Sequence, residues 1–142
     1  MRIIGHLYYL GIGGKAKDYD LANLWYEKSA RLGNVLVLGD LGTNYRFGRG
    51  VPQDIGKALE YYMKAVERGY SPAFIMNHIS WIYYKGLGNV EKDYHKAYEW
   101  AQKAANENDY GAMETLYRMY RDGTGVDKDE KESLNWLTKA VE

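Results

Sequence analysis

Residues Leu41 to Gly69 read LGTNYRFGRGVPQDIGKALEYYMKAVERG, and they pose one question: do the glycines around Arg49 hold a ligand or turn a chain? Taken alone, Gly48, Arg49 and Gly50 look like a phosphate loop, because two glycines beside an arginine bring backbone amides close to an anion. The same punctuation recurs along the sequence. Pairs stand at Gly11/Gly13, Gly48/Gly50, Gly86/Gly88 and Gly123/Gly125, with steps of 37, 38 and 37 residues between their first members. Three residues before each pair is a tyrosine (Tyr8, Tyr45, Tyr83, Tyr120). Four residues before that is an aliphatic (Ile4, Leu41, Ile79, Leu116), which is helical spacing.

Downstream of each pair a stripe recurs at i, i+3, i+4, i+7 and i+8. Its four copies are Ala22, Trp25, Tyr26, Ser29, Ala30; Ala58, Tyr61, Tyr62, Ala65, Val66; Ala97, Trp100, Ala101, Ala104, Ala105; and Ser133, Trp136, Leu137, Ala140, Val141. Only Ser29 and Ser133 among them are not apolar, so each segment presents one apolar face of a helix. Strands would alternate with period two instead. Asp54, Asp93 and Asp129 stand where helix N-caps belong, and Lys28, Lys64, Lys103 and Lys139 near the C-terminal ends, where a cation meets the dipole favourably. Gly33, Gly69 and Asn108 suit a left-handed stop, and Ser71 with Pro72 reads as a cap followed by a first turn. Each unit is therefore helix, glycine turn, helix. In the opening stretch Gly48 supplies a positive φ, Gly50 lets the chain reverse without a Cβ clash, and Pro52 stiffens the exit before Asp54 caps the next helix. A phosphate loop would follow a strand and occur once.

Leu41 to Gly69 resembles a SEL-one-like repeat, a relative of the tetratricopeptide repeat with a longer loop between its helices. The other three copies are similar more loosely, with one-residue insertions at Gly14 to Asp18 and Asn89 to Asp93. Departures from the pattern are Ser80 and Tyr117 after the aliphatic, and Ser133 in place of alanine; Tyr117 is expected to loosen packing between the third and fourth repeats. The resemblance implies a right-handed superhelical αα-hairpin solenoid, all α, that acts as an adaptor for other proteins, in bacteria often in secretion, signalling or host contact. Some relatives carry a cysteine pair per repeat and have been linked to β-lactam binding, which does not transfer to a chain without cysteine. Stacking is also what the stripes require, since one hairpin cannot bury both of its faces, and stacked hairpins leave a long curved surface suited to a partner.

At 142 residues the sequence fits a single repeat domain, 1–142, with repeats at about 1–34, 35–70, 71–109 and 110–142. Lys plus Arg and Asp plus Glu number 19 each, so no global field gathers nucleic acid or anionic lipid. Zero cysteines exclude disulfides, thiolate zinc sites and a cysteine nucleophile. No run approaches the ~18 apolar residues of a membrane span. The start of the sequence lacks the pattern of a signal peptide, so a cytoplasmic location is expected.

Chemistry finds little purchase. His6, His78 and His95 fall in different repeats without a ligand cluster, so neither metal nor cofactor is expected. Asp127, Asp129 and Glu130 lack the glycine and the distal glutamate of a calcium loop. No catalytic residue is assigned.

Trp81 stands two residues after Ile79, outside the core slots. In a stacked hairpin that slot faces the inner groove, and extending the register gives His6 and Tyr9; Thr43, Arg46 and Phe47; Asn77, Trp81, Tyr84 and Lys85; Glu114, Arg118 and Arg121. Aromatic anchors with more cations than acids suit an acidic or amphipathic protein segment. The leading expectation is a non-enzymatic protein-binding scaffold, in a sharper form a bacterial adaptor or immunity protein. Two alternatives stand beside it. One is a hydrolase or cell-wall-ligand binder using His78 with Glu114 or Tyr84, and the other a structural segment of a longer array. Trp136, Leu137, Ala140 and Val141 have no capping helix after them, so a homodimer through that end, or continuation of the array, is expected.

Overall fold

The computed structural model describes residues 2–12 and 18–142, so Gly13 and most of the insertion from Gly14 to Asp18 lie outside the described residues. Among those described there are eight helices and no strand: α1 (Arg2–Leu10), α2 (Tyr19–Arg31), α3 (Leu36–Phe47), α4 (Ile55–Glu67), α5 (Ala73–Lys85), α6 (Tyr94–Asn106), α7 (Tyr110–Asp122) and α8 (Glu130–Val141). They pair as successive hairpins, α1 with α2, α3 with α4, α5 with α6, and α7 with α8. The chain forms two compact units, residues 1–70 and 71–142, each of two hairpins.

The turn chemistry decides where each helix stops. Gly48, Gly86 and Gly123 are left-handed C-caps of α3, α5 and α7. Gly33, Gly69 and Asn108 take φ of 88°, 85° and 66° after the second helices. Asp54, Asp93 and Asp129 accept from the backbone N–H three residues on at 3.0, 3.0 and 3.1 Å. Asp18 and Asp109 do the same for α2 and α7, two caps that the repeat pattern did not single out. Ser71 is not a cap. Pro72 holds the N-cap position of α5 in extended geometry, with no side-chain bond, and its carbonyl accepts from Ile75 N–H at 3.0 Å, so the helix begins one residue later than the sequence implied.

In the first unit Ala22, Tyr26, Val37 and Leu41 form a core cluster where α2 stacks on α3, and Ala58, Tyr62 and Ala65 of α4 are also wholly buried. The second unit is centred on Met76, Ala101, Ala104, Ala105, Ala112, Met113 and Leu116, which joins its two hairpins. Leu41, Ile79 and Leu116 are fully buried as their register requires, but Ile4 is 36% exposed. Trp25, Tyr61, Trp100 and Trp136 are half-buried at the margin of the core, and each is covered by the lysine one turn on. Lys28, Lys64, Lys103 and Lys139 stand 4.7, 5.6, 4.5 and 4.4 Å from the respective ring centres. The lysines thus serve the helix dipole and the ring faces together.

Within a hairpin, the residue after the repeat's aliphatic is matched to the helix opposite. Gly5 and Gly42 receive the rings of Tyr26 and Tyr62, whose carbons lie 2.8 and 2.7 Å from where a Cβ would stand. Ser80, facing the alanine-rich α6, fills its space by donating to the Ala97 carbonyl at 2.7 Å. Tyr117 occupies the same slot in α7. It lines a shallow cleft of about 350 Å³ with Leu137, inside its own hairpin, while Ser133 Oγ donates to the Tyr117 carbonyl at 3.1 Å. Residues of α6 and α7 share the buried second-unit core, and Tyr117 is not among them.

Candidate functional site

The first helices of the hairpins carry the side chains that their core slots leave over, and each unit gathers these differently. In the first unit they cluster at the end of α3. Phe47 is 48% exposed, with the guanidinium carbons of Arg46 and Arg49 at 4.8 and 5.0 Å from its ring centre. Arg49 also donates to the Tyr9 hydroxyl and lies over the Tyr9 ring at 5.9 Å. Tyr9 in turn stacks with His6 at 6.1 Å and meets the edge of Tyr19 at 5.2 Å. Thr43 is turned inward, its hydroxyl donating to the Gly39 carbonyl at 3.0 Å and pairing with the Tyr62 hydroxyl at 2.9 Å. His6 Nδ1 likewise lies 3.2 Å from the Tyr26 hydroxyl.

The loop that carries Arg49 is held from two sides. Asn23 Nδ2 donates to the Arg49 carbonyl at 2.7 Å, and Asn44 Nδ2 donates to Asn23 Oδ1 at 2.7 Å. Gly50, at φ 72°, lies so close to α2 that a Cβ there would stand 2.6 Å from the Tyr19 carbonyl oxygen. Gly125 repeats that approach on Tyr94, at 2.7 Å. Gly50 and Gly125 are thus docking points of a hairpin's turn on the preceding hairpin's second helix within their own units, beyond their part in the turn itself.

The second unit brings Trp81, Tyr84, Lys85 and Arg118 together. Trp81 is half-buried and stacks on Tyr84 at 5.5 Å, with Lys85 and Arg118 at 5.1 and 5.9 Å from its ring, and Tyr84 packs on Tyr94 at 5.6 Å. Asn77 faces α7, its amide nitrogen 2.8 Å from where a Gly111 Cβ would be. Arg118 is tied to Glu114 at 2.8 Å. Arg121 is not part of the Trp81 group; it pairs with Asp122 at 2.9 Å and reaches the Tyr117 hydroxyl at 3.5 Å. His78 lies edge-on to Phe74 at 6.3 Å, and His95 pairs with Glu99 on an exposed face. Among the described residues no group of three His, Asp or Glu side chains is placed to hold a metal ion.

Burial shapes the ionisation of this surface. It pushes the Arg46 guanidinium below its ordinary value, and the Tyr62 hydroxyl up to about 12. Asp40 is raised, by burial first, against the opposing pull of Arg2 at 3.1 Å. The Asp122 carboxyl is held low by its hydrogen bond from Arg121.

The sequence register missed Arg49, Tyr19, Tyr94 and Asp122. Arg49 enters the sequence reading only with the phosphate loop that the repeat set aside; its signal is a long cation set between two glycines, two residues beyond Phe47. Asp122 occupies the slot equivalent to Phe47 and Lys85, and it turns a basic strip into a matched pair.

The comparisons with known proteins agree with this architecture. The chain is 32% identical over 130 residues to an uncharacterised protein of Neisseria meningitidis serogroup B, covering 90% of this chain and 26% of that protein. It is 35% identical over 114 residues to the ERAD-associated E3 ubiquitin-protein ligase component HRD3B of Arabidopsis thaliana, covering 80% of this chain and 17% of that one. The chain therefore spans about a quarter or less of the length of these relatives. Among solved structures it superposes with a TM-score of 0.89 and 30% identity on c5321, a protective antigen of uropathogenic Escherichia coli strains displaying an SLR fold, over 99% of this chain and 29% of that one. The profile of the Sel1 repeat matches residues 1–34, 38–70, 76–109 and 110–142, and with four consecutive matches over hairpins of this construction the chain belongs to the Sel1 repeat family.

Proposed function

We propose that the protein is a non-enzymatic scaffold that binds a segment of a partner protein on the exposed faces of its first helices. Sel1 repeat proteins generally mediate protein–protein interaction, and the Arabidopsis relative is by name a component of a ubiquitin-ligase assembly. The observation that carries the reading is the Trp81 group: a half-buried tryptophan fixed by Tyr84, Lys85 and Arg118, with residue types that dominate binding energy at protein interfaces. Its side chains are already ordered, which lowers the entropic cost of docking. Trp81→Ala is expected to weaken partner binding by about 2 kcal/mol or more with helicity intact. Loss of helicity without a selective loss of binding would make Trp81 a packing residue and remove the support.

A second reading, self-association through α8, is favoured by one comparison. Ala101 and Ala105 of α6 are buried under α7, whereas the equivalent Leu137 and Val141 of α8 are 36% and 77% exposed, and Leu134 beside them is 55% exposed. That face would accept a helix in the role of α7, from a second copy or from a further repeat of a longer array. Sedimentation equilibrium should show a dimer that Leu137→Glu dissolves; a concentration-independent monomer would refute it.

A further inference from the structure

The equal totals of charge conceal a division. Residues 1–70 hold ten Lys and Arg against seven Asp and Glu, and residues 71–142 hold nine against twelve. The arginines that follow or lie within the last turns of α3 and α7 also differ in how they are matched. In the second unit, Arg118 and Arg121 are already neutralised by Glu114 and Asp122. In the first, Arg49 has aromatic and phenolic partners, and among the described residues no carboxylate lies within ion-pair distance of it. Arg46 beside it is partly desolvated. An arginine bound to a ring face and one hydroxyl retains unused N–H donors in the plane of its fork, where a carboxylate fits.

The position is also built. The Arg49 backbone is clamped by Asn23, and Gly50 is seated against Tyr19. Gln53 Nε2 donates to the Arg46 carbonyl at 2.7 Å, which closes the turn over the end of α3. The Phe47 ring, which both guanidinium groups approach and which is 48% exposed, adds apolar surface to the corner.

We propose that the Arg46, Phe47 and Arg49 corner of the first unit recognises an acidic segment of the partner, in which a carboxylate side chain meets Arg49 and an adjoining apolar side chain covers Phe47. This rests on the scaffold reading and adds to it the chemistry of the bound segment.

The test is NMR on the isotope-labelled full chain, titrated to about 10 mM with the N-acetylated, C-amidated tetrapeptide EEFE, its isosteric analogue QQFQ blocked in the same way, and inorganic phosphate. EEFE is expected to shift the arginine side-chain signals of Arg46 and Arg49 and the ring signals of Phe47, with QQFQ at least about ten-fold weaker. Arg49→Gln should weaken EEFE by about the same factor, while Arg68→Gln, an equal change of charge on an exposed residue, leaves it within about two-fold. Equal response to QQFQ, shifts elsewhere or none at all would overturn the proposal. So would phosphate reproducing the shifts at equal concentration, which would mean an oxyanion site only, or movement of these signals on dilution without peptide, which would mean a second copy is the occupant. A partner still lost on Trp81→Ala alongside a silent EEFE titration would refute this inference alone; a partner insensitive to Trp81→Ala alongside a positive titration would refute only the scaffold reading built on Trp81.

Discussion

The Tyr62 ring lies 2.7 Å from the place where Gly42 would carry a Cβ, and the ring is wholly buried. In an exposed helix, exchanging glycine for alanine gains about 1 kcal/mol. Here the added methyl must displace a ring that is itself held by Thr43. Gly42→Ala is therefore expected to destabilise by about 1–3 kcal/mol in urea unfolding, and pairing it with Tyr62→Leu should return part of that loss. A stabilising Gly42→Ala would show that the hairpin is not closed at this contact.

Left-handed glycines separate into two kinds. Gly69 has open space around its missing Cβ, so Gly69→Ala should lose only the conformational term of about 1 kcal/mol, and Gly69→Asn less, because Asn108 already serves that slot in the third repeat. Gly50 has the same sign of φ but a carbonyl in the way, so Gly50→Asn should be worse than Gly69→Asn by more than about 1 kcal/mol. Equal losses at the two sites would contradict the docking of the turn on α2.

The buried Asn23 and Asn44 pair links α2, α3 and the Arg49 carbonyl. Asn44→Ala strands the Asn23 oxygen and should cost about 1–3 kcal/mol. Asn23→Ala should lose a similar amount and also broaden the Arg49 backbone signal in NMR, since its anchor is gone. A sharp, unshifted Arg49 signal in that variant would show the loop holds itself.

Alkaline pH tests the buried hydroxyls. Tyr62, pushed up to about 12, and Tyr26, also raised by burial first, have folded values above the unfolded one. Such groups contribute stability that is complete below about pH 10 and is lost as the pH rises through the folded value. Helicity should fall together with a rise in phenolate absorbance in that window, and Tyr62→Phe should move the midpoint upward while losing about 1 kcal/mol at neutral pH with its hydrogen bond to Thr43. The same sign applies to Asp40, whose stabilising state is the protonated one; Asp40→Asn should raise the thermal midpoint at neutral pH and lose that advantage as the pH falls below the raised value. An advantage that grows on acidification would invert the assignment.

The helix order, turn glycines and aspartate caps were legible because each is a local device repeated at fixed spacing, and Gly48 or Asp93 declares its role without reference to a distant partner. Ser71 misled because a serine before a proline fits a cap as well as it fits an extended approach. The match between Gly5, Gly42, Ser80 and Tyr117 and their opposing helices was not legible, since it pairs residues about twenty positions apart that no period links. Charge matching failed for a different reason: the groove register counts Arg121 as an open cation, while its fork closes on the adjacent Asp122. Arg49 was set aside together with the phosphate loop, because the glycines accounted for the turn without it.

The most direct measurement is site-specific photo-crosslinking in cells of the source organism, with the crosslinking residue placed at Phe47 or Trp81 and, as controls, at the exposed Glu60 or Glu99 on second helices. A scaffold of the kind described should trap one and the same protein from positions 47 and 81, with little from 60 and 99. Trapping that is equal at all four positions, or confined to 60 and 99, would contradict it.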